Sequence, residues 1–206
     1  MYVELLDRLL FRRPFEGRGA RRYTFDERPA FGDLDDRLLD RLAPRLAGGR
    51  RLLDLGCGPA TFARRASARF AELTVIAIDP SRAYARRGVV RAVGEALPIA
   101  DRSIDVAVCL SSIRHVRDRG QTLRELRRVV RGQLVIVELD PAADRGRIAR
   151  HADHLGSAIV RRLFGPLVLG TAPPVAAIAA LARAAGFTVR DLRSDPLQPV
   201  YILELD

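Results

Sequence analysis

The sequence predicts one α/β domain over residues 1–206, built on a doubly wound sheet. From residue 50 onwards, short apolar stretches alternate with segments of helical periodicity. Strands that are apolar along their whole length are typical of a parallel sheet with helices on both faces. A chain of 206 residues is long enough to bury a sizeable core in a single domain.

Residues 1–48 predict an N-terminal helical cap. Residues 3–11 are leucine-rich at helical spacing, whereas residues 14–32 hold prolines and glycines with aromatic residues between them, a pattern that predicts an irregular segment. A second helix should begin after Asp33, which can cap it, and end at Gly48-Gly49. Its leucines recur about once per turn, at positions 34, 38, 42 and 46.

Seven strands are predicted beyond the cap, connected by helices. The strands cover residues 50–55, 73–78, 89–93, 103–110, 134–139, 187–192 and 200–205. The helices cover residues 61–70, 81–87, 121–130 and 175–185, and residues 141–172 form a helical insertion. The last two strands are too close for a crossover helix, so they should pair antiparallel.

The composition limits the classes of function. Two cysteines without metal-ligand spacing predict a reducing compartment and no metal site, and His151, Asp153 and His154 are interpreted as an exposed polar helix face. Without a signal-peptide pattern or an apolar stretch of bilayer length, we expect a cytoplasmic protein with no membrane partner. The net charge of +10 comes from dispersed arginines with no lysine. This dispersion predicts a solvated basic surface rather than a nucleic-acid face.

A glycine turn after the first predicted strand marks the ligand crevice. Residues 52–60 read Leu-Leu-Asp-Leu-Gly-Cys-Gly-Pro-Ala, and doubly wound sheets bind ligands beyond the carboxyl ends of such strands. A P-loop is excluded because it needs a lysine. A dinucleotide fingerprint fits poorly, because Thr61 stands at its third glycine place and Asp79 matches its ribose acid only loosely. Asp54, an acid expected to be buried, needs a partner such as a ligand ammonium.

Over about residues 50–140 the sequence resembles the class I S-adenosylmethionine-dependent methyltransferases, in their small-molecule, type 11 branch. The first motif, acid-x-Gly-x-Gly-x-Gly, departs from the family only in having Ala60 as its last residue. Further motifs follow in the expected order. After the first motif at Asp54–Ala60, they are Ile78-Asp79-Pro80, Gly94–Pro98, Ser103–Ala107, and His115-Val116 followed by Leu123–Val129.

This resemblance implies a Rossmann-like sheet of seven strands in the order 3-2-1-4-5-7-6, with the last strand antiparallel. It also implies S-adenosylmethionine as the cofactor and S-adenosylhomocysteine as the product. Asp79 would accept hydrogen bonds from both ribose hydroxyls, and Glu95 would meet the adenine amino group. The full set of implied cofactor residues is Asp54, Gly56, Cys57, Gly58, Asp79, Pro80, Glu95, Ala96 and Ser111.

His115 is the candidate catalytic residue, because it follows the strand at 103–110, where the acceptor should meet the methyl group. One interpretation makes it a general base, whose ordinary pKa near 6.5 predicts a rate that falls below that pH. The other makes it a residue that orients the loop. The acceptor pocket is expected to combine residues 14–32, His115 and the insertion at 141–172. The resemblance implies that residues 14–32 form a lid over the cofactor and acceptor, and the alternative is that their aromatic side chains only pack under a loop.

These features predict transfer of a methyl group from S-adenosylmethionine to an oxygen, nitrogen or carbon of a small-molecule acceptor. Because the sulfonium already activates the methyl group, the protein need only bind, orient and exclude water. Two alternatives stay open: an RNA methyltransferase that uses the basic surface, and a non-catalytic cofactor-binding module. The RNA alternative lacks an Asn/Asp-Pro-Pro-Tyr motif, in whose place Ser111-Ser112-Ile113-Arg114 stands.

Overall fold

The computed structural model describes residues 31–85, 88–154 and 158–206 and contains a six-stranded mixed sheet with helices on both faces. Strands β1 to β4 are parallel, and β6 pairs antiparallel with β4 and β5. The order across the sheet is β2-β1-β3-β4-β6-β5. The strands are β1 (Arg51–Leu55), β2 (Thr74–Ile78), β3 (Ile104–Leu110), β4 (Val130–Leu139), β5 (Val189–Ser194) and β6 (Val200–Leu205).

Six α-helices and three short helical turns are described. The helices are α1 (Leu34–Leu46), α2 (Thr61–Arg69), α3 (Arg119–Val129), α4 (Arg145–Asp153), α5 (Ala158–Leu163) and α6 (Val175–Ala184). The turns are Ile113–His115, Phe164–Val168 and Leu169–Thr171. The helix expected over 81–87 is a set of turns as far as residue 85. Residues 1–30, most of the expected cap and lid, lie outside the described residues.

The prediction of a strand at 89–93 is wrong, and the described residues form six strands rather than seven. The order of these six strands matches the expected order. At 89–93 only Val90 pairs with the sheet, in a single parallel bridge to Ile78. Gly88 enters this segment with a φ of +77°, and Val93 turns back to bridge Ala96. The chain therefore leaves the edge of β2 after one residue, too soon to form a ladder.

The pleat of the central strands directs alternate side chains into two cores. Leu52 of β1 belongs to the core that the leucines of α1 cover, whereas Leu53 belongs to the core under α3 and α6. With both faces covered, the carboxyl ends of β1, β2, β3 and β4 are held at one edge of the sheet. Ligands of such sheets bind at that edge.

Helix α1 confirms the expected leucine repeat, since Leu34, Leu38, Leu42 and Leu46 are all buried. Asp33 does not cap the helix through its side chain, because its carboxylate instead accepts from Arg37 Nε at 2.8 Å. Arg41, one turn further along, pairs with Asp191 and Glu204. These ion pairs join α1 to the β5–β6 hairpin.

The segment Arg161–Ala184 is long and apolar enough, by length and composition only, to cross a membrane. This differs from the sequence expectation that no stretch reaches that length. In the structure, Pro173-Pro174 separates the turns of the insertion from α6, because proline lacks the amide that a continuous helix needs. α6 buries Ile178 and Ala182 in the core, as the core helix of a globular domain does.

Candidate cofactor and acceptor site

The turn after β1 has a backbone shape that glycine favours. Gly56 and Gly58 have φ angles of +71° and +53°, and Ala60 has +60°, all in the left-handed region. A Cβ on Gly56 would lie 2.7 Å from Ser112 Oγ and closer still to Ser112 Cβ. The Gly56 amide donates to the Ile78 carbonyl at 2.7 Å. The turn is thus fixed between the ends of two strands, with no room for a larger residue at Gly56.

Two carboxylates lie at this turn. Asp79 follows β2, and its Oδ2 accepts from the Gly58 amide at 2.9 Å while its Oδ1 accepts from the Ser81 amide at 2.8 Å. Asp54 of β1 is buried. Burial raises the pKa of the Cys57 thiol far above its usual value, and the charges of Asp54 and Asp79 add to the shift. The crevice is therefore negative in a chain whose net charge is +10.

Ser111 and Ser112 close the crevice at the carboxyl end of β3. Ser111 has a φ of +52°, a conformation that L residues seldom adopt and that recurs at functional sites. Its amide donates to the Val137 carbonyl at 2.7 Å, which fixes it against β4. Ser112 Oγ donates to the Leu55 carbonyl at 2.8 Å, so the two loops at the ends of β1 and β3 are held together.

Helix α3 holds the segment Gly94–Pro98 in position. The Glu125 carboxylate accepts from the Leu97 amide at 2.8 Å, and Arg128 donates to the Leu97 carbonyl at 3.0 Å. A Cβ on Gly94 would lie 2.8 Å from a methyl carbon of Thr122. Helix α3 therefore has a structural role, because its side chains fix the segment that carries Glu95.

The Glu95 carboxylate faces the backbone before α3. Its Oε1 accepts from the amides of Arg117 and Asp118 at 2.7 and 2.9 Å, which joins it to the residues that follow His115. Ala96 and Pro80 are exposed. The adenine contact of Glu95 stays a prediction, and in the structure the side chain organises this loop.

His115 ends the short helical turn after β3. Its amide donates to the Ser112 carbonyl at 3.0 Å, and its ring is largely shielded from water. Burial lowers the pKa of His115 from its ordinary 6.5 to about 3, and the charges of Arg114 and Arg119 act in the same direction. The imidazole is therefore neutral at physiological pH. At this pKa we expect no fall in rate near pH 6.5, in contrast to the expectation for an ordinary imidazole.

The sequence analysis did not identify a buried glutamate that contacts the backbone next to His115. Glu138 of β4 is fully buried, and its Oε1 and Oε2 accept from the amides of Leu139 and Arg114 at 2.8 and 3.3 Å. Burial raises the pKa of Glu138 to about 7, against the opposing charge of Arg114. Arg114 also donates to Thr171 Oγ1 at 2.8 Å, which ties the His115 loop to the end of the insertion. An acid at the end of an apolar strand was the signal that could have found it.

The insertion has a buried aromatic cluster where an exposed face was expected. His151 is buried, stacks on Phe164 with ring centroids 4.9 Å apart, and contacts the edge of Phe31. The expectation is wrong for His151, because an apolar ring pair on either side takes it out of water, while Asp153 and His154 are exposed. Within the part of the chain that the structure describes, no group of three or more His, Cys, Asp or Glu side chains could hold a metal ion.

The crevice matches the charge of S-adenosylmethionine, which carries a sulfonium and an ammonium. Asp54 and Asp79 supply negative charge on either side of the turn. A carboxylate offers about four acceptor positions, so Asp79 can hold the turn and still accept from ligand hydroxyls. The two glycines leave the backbone open to close approach. The residues present thus fit the cofactor that the motifs imply.

Comparison with known proteins gives the same class. Residues 53–136, from β1 to β4, match the type 11 family described as "Methyltransferase domain". Residues 53–136 are thus similar to the type 11 methyltransferase family, the branch that the motifs resemble. This likeness supports the expectations of an enzyme family and of S-adenosylmethionine as its cofactor. The positions of the individual site residues stay predictions.

Three relatives illustrate the likeness. A 27-O-demethylrifamycin SV methyltransferase from Amycolatopsis mediterranei is 35% identical over 145 residues, which are 63% of this chain and 52% of the relative. A malonyl-[acyl-carrier protein] O-methyltransferase from Halorhodospira halophila is 29% identical over 177 residues, 73% of this chain and 59% of the relative. A structure of a methyltransferase from Methanococcus maripaludis has a TM-score of 0.72, 15% identity and 93% coverage of both chains. The chain thus spans about half the length of the curated relatives it matches.

Proposed function

We propose that this chain transfers a methyl group from S-adenosylmethionine to an oxygen, nitrogen or carbon of a small-molecule acceptor. The observation that carries the proposal is the negative glycine-turn crevice, where Asp54 and Asp79 flank Cys57 at the carboxyl edge of the sheet. The cofactor supplies an activated methyl group when bound. The protein then has to bind it, orient the acceptor and keep water out.

The residues divide into a binding group and an acceptor group. The glycine turn and Asp79 hold the cofactor, with Ser111 at the opposite wall and Glu95 on the loop fixed by α3. His115 faces the acceptor as a neutral imidazole. With its lowered pKa it is a weak base, so it would take the proton only as the new bond to the methyl carbon makes the hydroxyl strongly acidic. The insertion at 141–172 covers the acceptor.

Among the three acceptor atoms, oxygen has the most support. The Halorhodospira relative is named as an O-methyltransferase, and the name of the Amycolatopsis relative refers to a 27-O-demethyl compound. An oxygen acceptor also gives His115 a proton to remove, whereas a free amine already has a nucleophilic lone pair. The proposal therefore places a hydroxyl or phenol oxygen first.

The test is an untargeted search for methylated products. The purified chain and S-adenosylmethionine carrying a deuterated methyl group are added to a metabolite extract, and mass spectrometry follows compounds that gain the labelled methyl. We expect labelled small molecules that are absent when Asp79→Ala replaces the wild-type chain. Label only in RNA would favour the RNA alternative. Cofactor binding without any labelled product in extracts from several sources would favour a non-catalytic module.

The basic surface is better explained by internal pairing than by RNA. Many arginines are paired with carboxylates, as Arg37, Arg41, Arg128 and Arg193 illustrate. We therefore expect RNA affinity no tighter than about 10⁻⁶ M at physiological salt, the range of non-specific binding. A gel shift across a salt series measures it, and submicromolar, sequence-dependent binding would contradict the small-molecule proposal.

A further inference from the structure

The insertion contains an open cleft of about 540 Å³ between α4 and the segment that begins at Arg161. Pro141, two residues beyond the end of β4, forms one of its walls. The cleft thus lies at the edge of the sheet where the carboxyl ends of the parallel strands meet. Its volume falls in the range of pockets that hold small organic ligands.

The lining of the cleft is apolar. Ile148 and Ala152 of α4 contribute from one side, and Leu169 contributes from the other. Ala152 and Leu169 are buried, and Ile148 packs partly against the same core. The apolar surface is therefore held by the body of the domain, and it offers a seat for the hydrocarbon part of a ligand.

Three arginines line the same cleft: Arg145, Arg161 and Arg162. None of the three forms a hydrogen bond or ion pair with another residue in the ranges 31–85, 88–154 and 158–206. Arg147, which does not line the cleft, pairs with Asp144. The insertion carries five arginines and two aspartates, so one of its two acids is already engaged.

We propose that this cleft binds an acceptor with an apolar body and an anionic group. The inference rests on the proposed function, since it names the chemical class of the molecule that would be methylated. Guanidinium groups bind carboxylate and phosphate oxygens through charge-assisted hydrogen bonds. Three such groups around an apolar lining select a ligand that brings negative charge and hydrocarbon together, and they reject a cation of the same size.

The experiment measures displacement of the anionic, apolar fluorophore 8-anilinonaphthalene-1-sulfonate from the full chain. The competitors are decanoate, decyl phosphate and decyltrimethylammonium, each below its critical micelle concentration. We expect the two anions to displace the dye and the cation to do so at least about tenfold more weakly. The better of the two anions identifies the headgroup, carboxylate or phosphate. Equal displacement by the cation would overturn the proposal.

A charge-matched pair of variants locates the binding. Arg161→Gln/Arg162→Gln should weaken decanoate or decyl phosphate about tenfold. Arg102→Gln/Arg183→Gln removes the same charge at exposed positions that do not line the cleft, and it should change affinity less than about twofold. Equal losses in both double variants would mean a general charge effect and overturn the proposal. An RNA oligonucleotide that binds more tightly than either anion, and loses affinity in Arg161→Gln/Arg162→Gln, would overturn it too.

Calorimetry with S-adenosylhomocysteine on the same samples separates the two proposals. We expect unchanged affinity in Arg161→Gln/Arg162→Gln, because these residues lie outside the glycine turn. If S-adenosylhomocysteine binds and the anions do not, the cleft proposal alone fails. If the anions bind and S-adenosylhomocysteine does not, the proposed function fails and the cleft loses its role in methyl transfer.

Discussion

The glycine-turn crevice and the cleft of the insertion lie at the same edge of the sheet but carry opposite charges. In the crevice, Asp54 and Asp79 surround a backbone turn, whereas the cleft has Arg145, Arg161 and Arg162 around apolar side chains. The first fits a cationic cofactor and the second an anionic acceptor. The comparison shows that a chain with a net charge of +10 can carry one negative site and one positive site.

The crevice depends on backbone geometry, so the largest effect should come from Gly56→Ala. The new Cβ would lie only 2.7 Å from Ser112 Oγ. The alanine would also have to keep a φ of +71°, which L residues seldom adopt. We expect S-adenosylhomocysteine binding to be lost and the free energy of unfolding to fall by about 2–4 kcal/mol, from backbone strain and overpacking together. Calorimetry and urea unfolding measure the two quantities.

Gly49→Ala is the matched control for Gly56→Ala. Gly49 has the same φ of +71°, but no described atom lies within 4 Å of its Cβ position. It should lose only about 1 kcal/mol, the cost of the conformation alone, and keep its cofactor affinity. Equal losses in the two variants would mean that the contact with Ser112 does not shape the crevice.

The proposed function places His115 between the cofactor and the acceptor, and His115→Ala tests this catalytic assignment. Loss of a general base should lower kcat by at least about a hundredfold while S-adenosylhomocysteine affinity stays within about threefold. Because the pKa of His115 is about 3, the wild-type rate should show no inflection near pH 6.5. A variant that keeps more than a tenth of wild-type kcat would make His115 an orienting residue.

Glu138 accepts from the amide of Arg114, whose side chain contacts Thr171 of the insertion. Protonation of Glu138 should make the free energy of unfolding depend on pH. With a pKa of about 7, the folded protein holds a proton that the unfolded chain releases near 4.5. This contribution to stability is present below pH 4.5 and lost as pH rises through 7. The free energy of unfolding of Glu138→Gln, relative to wild type, should therefore rise by about 1–3 kcal/mol between pH 5 and 8.

Glu204→Gln provides the contrast in the same urea series. Burial acts to raise the pKa of Glu204, but hydrogen bonds from Arg41 and Arg193 hold it below its ordinary value. Its contribution is present above about pH 4.5 and lost only as pH falls through the lowered pKa. The difference from wild type should be constant between pH 5 and 8. A constant difference for Glu138→Gln as well would show that Glu138 is ionised throughout.

The comparison also separates what the sequence could predict from what it could not. The crevice follows from local rules, because Gly56 and Gly58 set the turn and Asp79 ends a strand, so the motif located the residues that surround it. The leucines of α1 likewise predicted a buried helix. The cleft could not be predicted, since it depends on how α4 packs against a later segment. For the same reason His151 was placed on an exposed face and Glu138 was missed.

The seventh strand failed for a related reason. A run such as Val89–Val93 has strand propensity, yet a strand forms only where a neighbour offers a ladder, and Val90 makes a single bridge before the chain turns. Propensity describes the residue, whereas pairing depends on the path of the chain. The glycine at position 88 and the turn at 93–96 are the local signals that favour an early exit.

The most direct test of the account is calorimetry of S-adenosylhomocysteine with Asp79→Ala and Asp105→Ala. The two carboxylates are equally buried, at 8% exposed, but Asp105 lies at the opposite edge of the sheet, where it accepts from Arg51 and Arg131. We predict at least about tenfold weaker binding for Asp79→Ala, or about 1.4 kcal/mol, and a change within threefold for Asp105→Ala at a temperature where both stay folded. Unchanged affinity in Asp79→Ala, or equal losses in both variants, would contradict the assignment of the glycine turn as the cofactor site.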